Sequence, residues 1–382
     1  MTLEDYVLRE TPTGASAAIT AFTDALATRY AGLGGTVVLH PVPGGAHVVA
    51  DFPGRGSGAG AAPVLLVGHS DTVWPVGTLA GDVPWTSDGT RITGPGVYDM
   101  KSGLVVMEEA LELLRARADA GFGDHVPVRI IVTADEEIGS PTSGELLLAA
   151  AVGCSAAIGF ESPHPNGDLK VGRLGSTRLA LAVSGVPAHA ALDPEKGVSA
   201  TEEIVDQLLR VRAIAARATI RAGERPGARV LYNLGSITAP GLANVVADGA
   251  AAVLGFRFSD REIEDEVLDE IEALVPIRPR AQLSVTRLSY RPAWKPRDAD
   301  QALSAFISDC DARLGAGAPL GAAPAAGAAD TNLLSASALG VVDGFGPRGG
   351  GAHARSEHII IDSLWERIGL LAAVLSAVHL PR

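Results

Sequence analysis

Three apolar runs in this chain each end in side chains that bind metal ions. They are Val64-Leu65-Leu66-Val67-Gly68-His69-Ser70-Asp71, Val128-Arg129-Ile130-Ile131-Val132-Thr133-Ala134-Asp135-Glu136-Glu137 and Ala156-Ala157-Ile158-Gly159-Phe160-Glu161. A short run rich in Val and Ile, apolar on both faces, reads as a buried strand of a parallel sheet. Open α/β sheets bind their ligands just beyond the carboxyl ends of the strands. His69, Asp71, Glu136, Glu137 and Glu161 are therefore expected to converge on one crevice.

A chain of 382 residues is longer than one hydrophobic core usually grows, so two domains are expected. Hydrophobic residues at 47% and charged residues at 20% describe a soluble globular protein with a sizeable core. Acidic residues number 44 against 31 basic, a net charge of −13. That balance argues against nucleic acid or an anionic membrane as partner, since both require a basic face. With only Cys154 and Cys310, no disulfide framework is expected, and a reducing compartment is the simpler reading. No apolar stretch reaches transmembrane length, and Met1-Thr2-Leu3-Glu4-Asp5 is acidic where a signal peptide is basic. The expected location is cytoplasmic.

The first part alternates strand and helix patterns: a helix over 16–30, strands over 37–39, 47–51 and 64–67, a helix over 103–117, a strand over 129–133, a helix over 143–151 and a strand over 156–160. This alternation predicts an α/β domain with a central, mostly parallel sheet flanked by helices. The middle reads differently. Strands over 178–183, 230–237, 250–258 and 282–287 enclose two helices, opened by the capping-box patterns Ser199-Ala200-Thr201-Glu202 and Ser259-Asp260-Arg261-Glu262. The order β-α-β-β-α-β is that of a ferredoxin-like domain. Residues 1–174 and 288–382 are thus expected to form one domain, interrupted by an inserted domain over 175–287. A loop rich in Ala, Gly and Pro over 315–329 and a helix over 362–379 complete the first domain.

The candidate ligands are His and carboxylate with no Cys, a donor set of open, catalytic metal sites rather than closed structural ones. Asp71 lies two residues after His69, so on extended backbone it shares a side with the imidazole and suits orienting it. Glu136 and Glu137 are adjacent, and on extended backbone they point in opposite directions. One can bind metal while the other serves as a general base.

Gly68-His69-Ser70-Asp71-Thr72-Val73, Gly94-Pro95-Gly96-Val97-Tyr98-Asp99-Met100-Lys101, Ala134-Asp135-Glu136-Glu137-Ile138-Gly139-Ser140 and Gly159-Phe160-Glu161-Ser162 resemble, in order and spacing, the di-zinc metallopeptidases. That family includes glutamate carboxypeptidase, acetylornithine deacetylase, succinyl-diaminopimelate desuccinylase and aminoacylase. The resemblance implies a catalytic domain with a small ferredoxin-like lid that also forms a homodimer. It implies two Zn2+ per subunit, with Co2+ or Mn2+ as substitutes. His69 and Glu161 would bind one zinc, Glu137 and a late histidine the other, and Asp99 both. Glu136 would be the general base toward a metal-bridging hydroxide, and a cis peptide would follow Asp99. The late histidine is taken as His353, in Gly349-Gly350-Gly351-Ala352-His353, rather than His358.

Three further roles are carried over with the resemblance: His189 as the oxyanion donor, acting across a dimer interface in many relatives, Asn244 as a substrate-positioning residue, and Arg257 as the grip on an α-carboxylate. Asp330 resembles the aspartate of a Gly-Gly-x-Asp segment. Ala328 departs from that pattern, as do Ala247 and Ser102 from theirs, which bears on specificity rather than on the ligands.

The activity implied is a carboxypeptidase-type amidohydrolase that releases a C-terminal amino acid, glutamate first, from an N-acyl amino acid or short peptide. Gly94-Pro95-Gly96 and Phe160-Glu161-Ser162-Pro163 look like the glutamate carboxypeptidases, whereas Asp99-Met100-Lys101 is common among deacetylases and desuccinylases. A non-catalytic binding protein on the same fold would be expected to have lost ligands or base. A serine hydrolase is disfavoured because Gly68-His69-Ser70-Asp71-Thr72 lacks the closing glycine of a nucleophile elbow.

Overall fold

The computed structural model describes residues 2–121, 123–315 and 319–377. The chain divides into two compact units, Met1–Gly172 with Pro296–Arg382, and Arg173–Lys295. The first unit contains β1 (Thr36–Val42), β2 (Gly45–Phe52), β3 (Val64–His69), β4 (Val128–Thr133) and β5 (Ala156–Gly159). The inserted unit supplies β6 (Gly175–Ser184), β7 (Val230–Thr238), β8 (Gly249–Phe258) and β9 (Gln282–Arg291). The chain then returns to the first unit with β10 (Gly340–Val342).

The first sheet runs β1-β2-β4-β3-β5-β10. Contacts among β4, β3, β5 and β10 are parallel, and β1 and β2 add an antiparallel edge. All six residues of β3 are buried, as expected of a strand covered on both faces. Helices Ser102–Asp119 and Ile361–Leu375 pack together, and Leu104, Met107, Leu111 and Leu114 repeat every three or four residues into the core. A Cβ on Gly103 would stand 2.5 Å from the Phe160 carbonyl oxygen, so glycine is what lets this helix approach the end of β5.

The register aligns the strand ends. His69 pairs with Thr133, and Val67 pairs with both Ile131 and Gly159. The residues that follow each strand consequently leave the sheet at one edge.

The inserted unit is an antiparallel sheet of order β7-β8-β6-β9. Leu179, Leu181 and Val183 face its core together with Leu254, Phe256 and Phe258. Helices Ala200–Gly223 and Arg261–Glu272 cover that face through Ile204, Leu208, Val211, Ile263, Val267 and Ile271. Ser199 caps the first helix by accepting from Glu202 N, and that helix runs on to Gly223. The second cap differs from expectation. Asp260, not Ser259, accepts from Ile263 N, because the Ser259 hydroxyl already bonds Arg229 N and Gly227 O. β9 runs to Arg291, past the expected 287, through an irregularity between Arg287 and Ser289. In the last helix, the expected positions 378 and 379 lie outside the described residues, as do 316–318 of the 315–329 loop.

Candidate metal centre

Five side chains from five segments of the first unit meet beyond the aligned strand ends. His69 Nε2 lies 3.2 Å from Asp99 Oδ1 and 3.4 Å from Glu161 Oε1. His353 Nε2 lies 3.2 Å from Asp99 Oδ2 and 3.3 Å from Glu137 Oε2. The two oxygens of Asp99 thus face two separate clusters, one with His69 and Glu161, the other with Glu137 and His353. Glu136 shares a site with His69 and Glu161 in which all three ligand atoms lie within 4.8 Å of one another.

This donor set fits divalent cations. Three carboxylates and two imidazoles converge, all oxygen and nitrogen donors with no thiolate, as open catalytic sites require. Glu137 Oε1 is buried and has no hydrogen-bond partner among the described residues, an arrangement that is costly unless a cation stands there. The titration behaviour follows from the same crowding. Hydrogen bonds to Asp99 and Glu137 raise His353 to about 10. Burial opposes a charged His69, but bonds to Asp71, Asp99 and Glu161 outweigh it and hold its pKa up. Burial and the neighbouring Asp99 charge raise Glu161. Asp99 is held low despite its burial, by His353 and His69.

The supports around the ligands are specific. His69 Nδ1 lies 2.8 Å from the Asp71 carbonyl oxygen and 3.4 Å from its carboxylate. Bonds on that side place the proton on Nδ1 and leave Nε2 a lone pair for a metal. The Asp71 carboxylate also accepts from Thr13 Oγ1 at 2.8 Å, Glu136 N at 3.2 Å and Glu137 N at 3.3 Å. Here the extended backbone expected at Glu136 and Glu137 is replaced by a 3₁₀ turn over Glu136–Ile138. Asp71 gathers both amides, and Gly139 at φ 99 closes the turn. The two side chains still diverge, Glu137 toward His353 and Glu136 toward His69 and Glu161. A small pocket opens beside them, lined by His69, Glu136, Glu161, Asp330, Thr331 and Asp343 among others.

The peptide between Asp99 and Met100 is cis, as the resemblance implied. His353 sits at φ 60, a left-handed backbone that a non-glycine residue rarely adopts. His358 lies instead in a strand opposite Thr93, with Nδ1 against the Ser356 carbonyl oxygen.

Two supporting acids carry roles that sequence reasoning missed. Glu357 follows the His353 loop, and its buried carboxylate gathers the loop that carries Asp99. It accepts from Trp74 Nε1 at 2.6 Å, Gly96 N at 3.0 Å, Tyr98 N at 2.9 Å and Asp99 N at 3.1 Å. Asp343 accepts from Glu161 N at 3.3 Å and from Thr331 Oγ1 at 2.6 Å. Position after the short apolar run Val341-Val342 was the available signal for Asp343.

His189, Asn244 and Arg257 belong to the inserted unit. His189 pairs with Val245 across a two-residue ladder, and Ala190 N donates to the Asn244 carbonyl at 3.0 Å, so these two segments are joined. His189 is exposed, and its Nδ1 accepts from Ala191 N and Leu192 N, both at 3.1 Å. In the neutral ring the proton therefore sits on Nε2. Arg257 lies on β8 opposite Ser176, and Arg291 on β9 faces the same serine from the other side. Burial and the Arg291 charge lower the Arg257 pKa. Arg291 was not singled out from the sequence, because its neighbourhood depends on pairing between strands distant in the chain.

The chain matches the model of a family described as peptidase family M20/M25/M40 over residues 65–377. It is 27% identical to carboxypeptidase G2 of Pseudomonas sp. (strain RS-16), over 98% of this chain and 88% of that protein. It is 29% identical to a succinyl-diaminopimelate desuccinylase of Methylobacterium nodulans, over 52% of this chain and 51% of the relative. An M20 family metallo-carboxypeptidase from Sulfolobus solfataricus shares the fold, with a TM-score of 0.69, 16% identity and 98% of each chain covered.

Proposed function

Because this chain belongs to peptidase family M20/M25/M40, and is a hydrolase of the metallopeptidase class, we propose that it releases a C-terminal amino acid, glutamate first, from an N-acyl or peptidyl substrate. His69 and Glu161 would hold one zinc ion, Glu137 and His353 a second, and Asp99 would serve both. Such a pair, when bound, lowers the pKa of water and polarises a carbonyl oxygen. Glu136 takes the proton of the attacking water and delivers it to the leaving amine nitrogen. His189 donates from Nε2 to the carbonyl oxygen as it gains negative charge, an interaction worth about 3 kcal/mol in the transition state. Asn244 positions the acyl part, and Arg257 receives the α-carboxylate in a bidentate pair. The glutamate preference rests on Arg291. Arg291 lies across Ser176 from Arg257 and its charge lowers the Arg257 pKa, so a second carboxylate on the substrate would add to the attraction of this basic stretch.

The observation that carries the reading is the division of Asp99 between two ligand clusters, with a separate glutamate beside one of them. Glu136→Gln is expected to lower kcat by about a hundredfold or more while both metals still bind, measured by metal analysis alongside turnover. Near-normal turnover in that variant would sink the assignment. Benzoyl-glutamate, acetylornithine and succinyl-diaminopimelate, offered with zinc, identify the substrate. Release of glutamate supports the carboxypeptidase reading. Cleavage of either other compound supports an N-acyl-amino-acid deacylase, which Asp99-Met100-Lys101 and the partial match to a desuccinylase favour. Assembly as a homodimer through the inserted unit, a lid role for that unit, and a cytoplasmic location belong to the same proposal.

A further inference from the structure

A second cavity, open to solvent, lies in the first unit, lined by Asn166, Gly167, Asp311, Leu320, Arg348, Glu366, Arg367 and Leu370. None of these belongs to the metal centre. Arg367 is only 5% exposed, yet no carboxylate lies within ion-pairing distance of it among the described residues. Its guanidinium donates to the carbonyl oxygens of Gly346 and Gly167 and lies over the Phe345 ring. Burial lowers its pKa to about 10, so the charge is retained at an energetic cost. Asp311 lines the same cavity, and its side chain makes no hydrogen bond or ion pair with another described residue. Burial raises its pKa, and the Arg367 charge opposes that rise. By contrast, Arg348 and Glu366 satisfy each other, with two contacts of 3.1 and 2.9 Å. One cation and one anion thus line a single cavity without touching, with the aliphatic side chains of Leu320 and Leu370 beside them.

We propose that this cavity binds a free α-amino acid, its carboxylate on Arg367, its ammonium on Asp311 and its side chain against Leu320 and Leu370. A bare anion would leave Asp311 unpaired, and a bare cation would leave Arg367 so. The site connects to the metal centre through one peptide. Gly346 accepts from Arg367 Nε at 3.2 Å on one side, and its N–H donates to the Glu161 carbonyl oxygen at 3.0 Å on the other. Occupancy at Arg367 is therefore felt at Glu161.

The test is calorimetric titration of the zinc-loaded enzyme with L-leucine, together with turnover at saturating leucine. Saturable binding is expected, with a change in kcat. Asp311→Asn and Arg367→Lys should each weaken it by about tenfold or more. Asp311→Asn should keep its turnover in the absence of leucine. 4-Methylpentanoate and 3-methylbutylamine, each lacking one charged end, should bind about tenfold more weakly than leucine. Absence of saturable binding overturns the site, and so does competitive inhibition that survives unchanged in Asp311→Asn. Pentanoate derivatives binding as tightly as leucine overturn the zwitterion, and binding without a change in kcat overturns the link to Glu161.

Discussion

At the scale of single residues, the centre is built by carboxylates that hold backbone amides as well as by the candidate metal ligands. Glu357 touches no candidate ligand side chain, but it holds the amides of Gly96, Tyr98 and Asp99 and so aims the shared aspartate. Glu357→Gln replaces one acceptor oxygen by a donor facing other donors. A loss of about 10–100-fold in metal affinity is expected, measured by chelator competition, with the fold retained by circular dichroism. Unchanged affinity would mean that the loop holds Asp99 without it. Glu357 was in plain view in the sequence, adjacent to the His353 loop. Its role was not legible, because its partners lie more than 250 positions away.

At the scale of elements, β3 and the helix Ser102–Asp119 carry the load beneath the site. Leu66 is fully buried in β3, and Leu66→Ala should cost about 2–5 kcal/mol, read from denaturant unfolding. A smaller loss would imply that the surrounding core collapses into the space. The same helix buries Glu108 against Tyr6 and 3.6 Å from Arg29 Nε, and burial raises its pKa to about 7. A raised folded pKa means that the folded state binds more protons than the unfolded one between the ordinary carboxylate range and about 7. This contribution to stability is full below pH 4.5 and is lost as pH rises through about 7. Glu108→Gln should therefore flatten the pH dependence of unfolding between about 5 and 8, and an unchanged slope would assign it elsewhere. The element pattern itself was legible, since apolar period and capping residues act locally. The 3₁₀ turn at Glu136–Ile138 was not, because Asp71, some 65 positions earlier, decides it.

At the scale of the whole molecule, three acids and two histidines are gathered in one site of the first unit, an arrangement that a bound cation would stabilise. Removing metal with a chelator should lower the thermal midpoint by several degrees, and added zinc should restore it, since a ligand bound only to the folded state stabilises by mass action. A midpoint indifferent to zinc would count against a structural contribution from the metal. The inserted unit has its own core around Leu181, Phe256 and Val267, independent of those ligands.

The residue types of the centre, the strands that deliver His69, Glu136 and Glu161, and the strand-helix order of both units were determined by the sequence alone. Each of these depends on patterns spanning a few residues: apolar runs, capping positions and the chemistry of the donor atoms. Only the tertiary structure decided that Asp99 divides its oxygens between two clusters, that Glu357 and Asp343 hold the ligand loops, that Arg291 lies across Ser176 from Arg257, and that Arg367 and Asp311 share a cavity without meeting. Those facts depend on sheet register and loop closure between distant segments, and no local pattern encodes which far residue a buried charge will face.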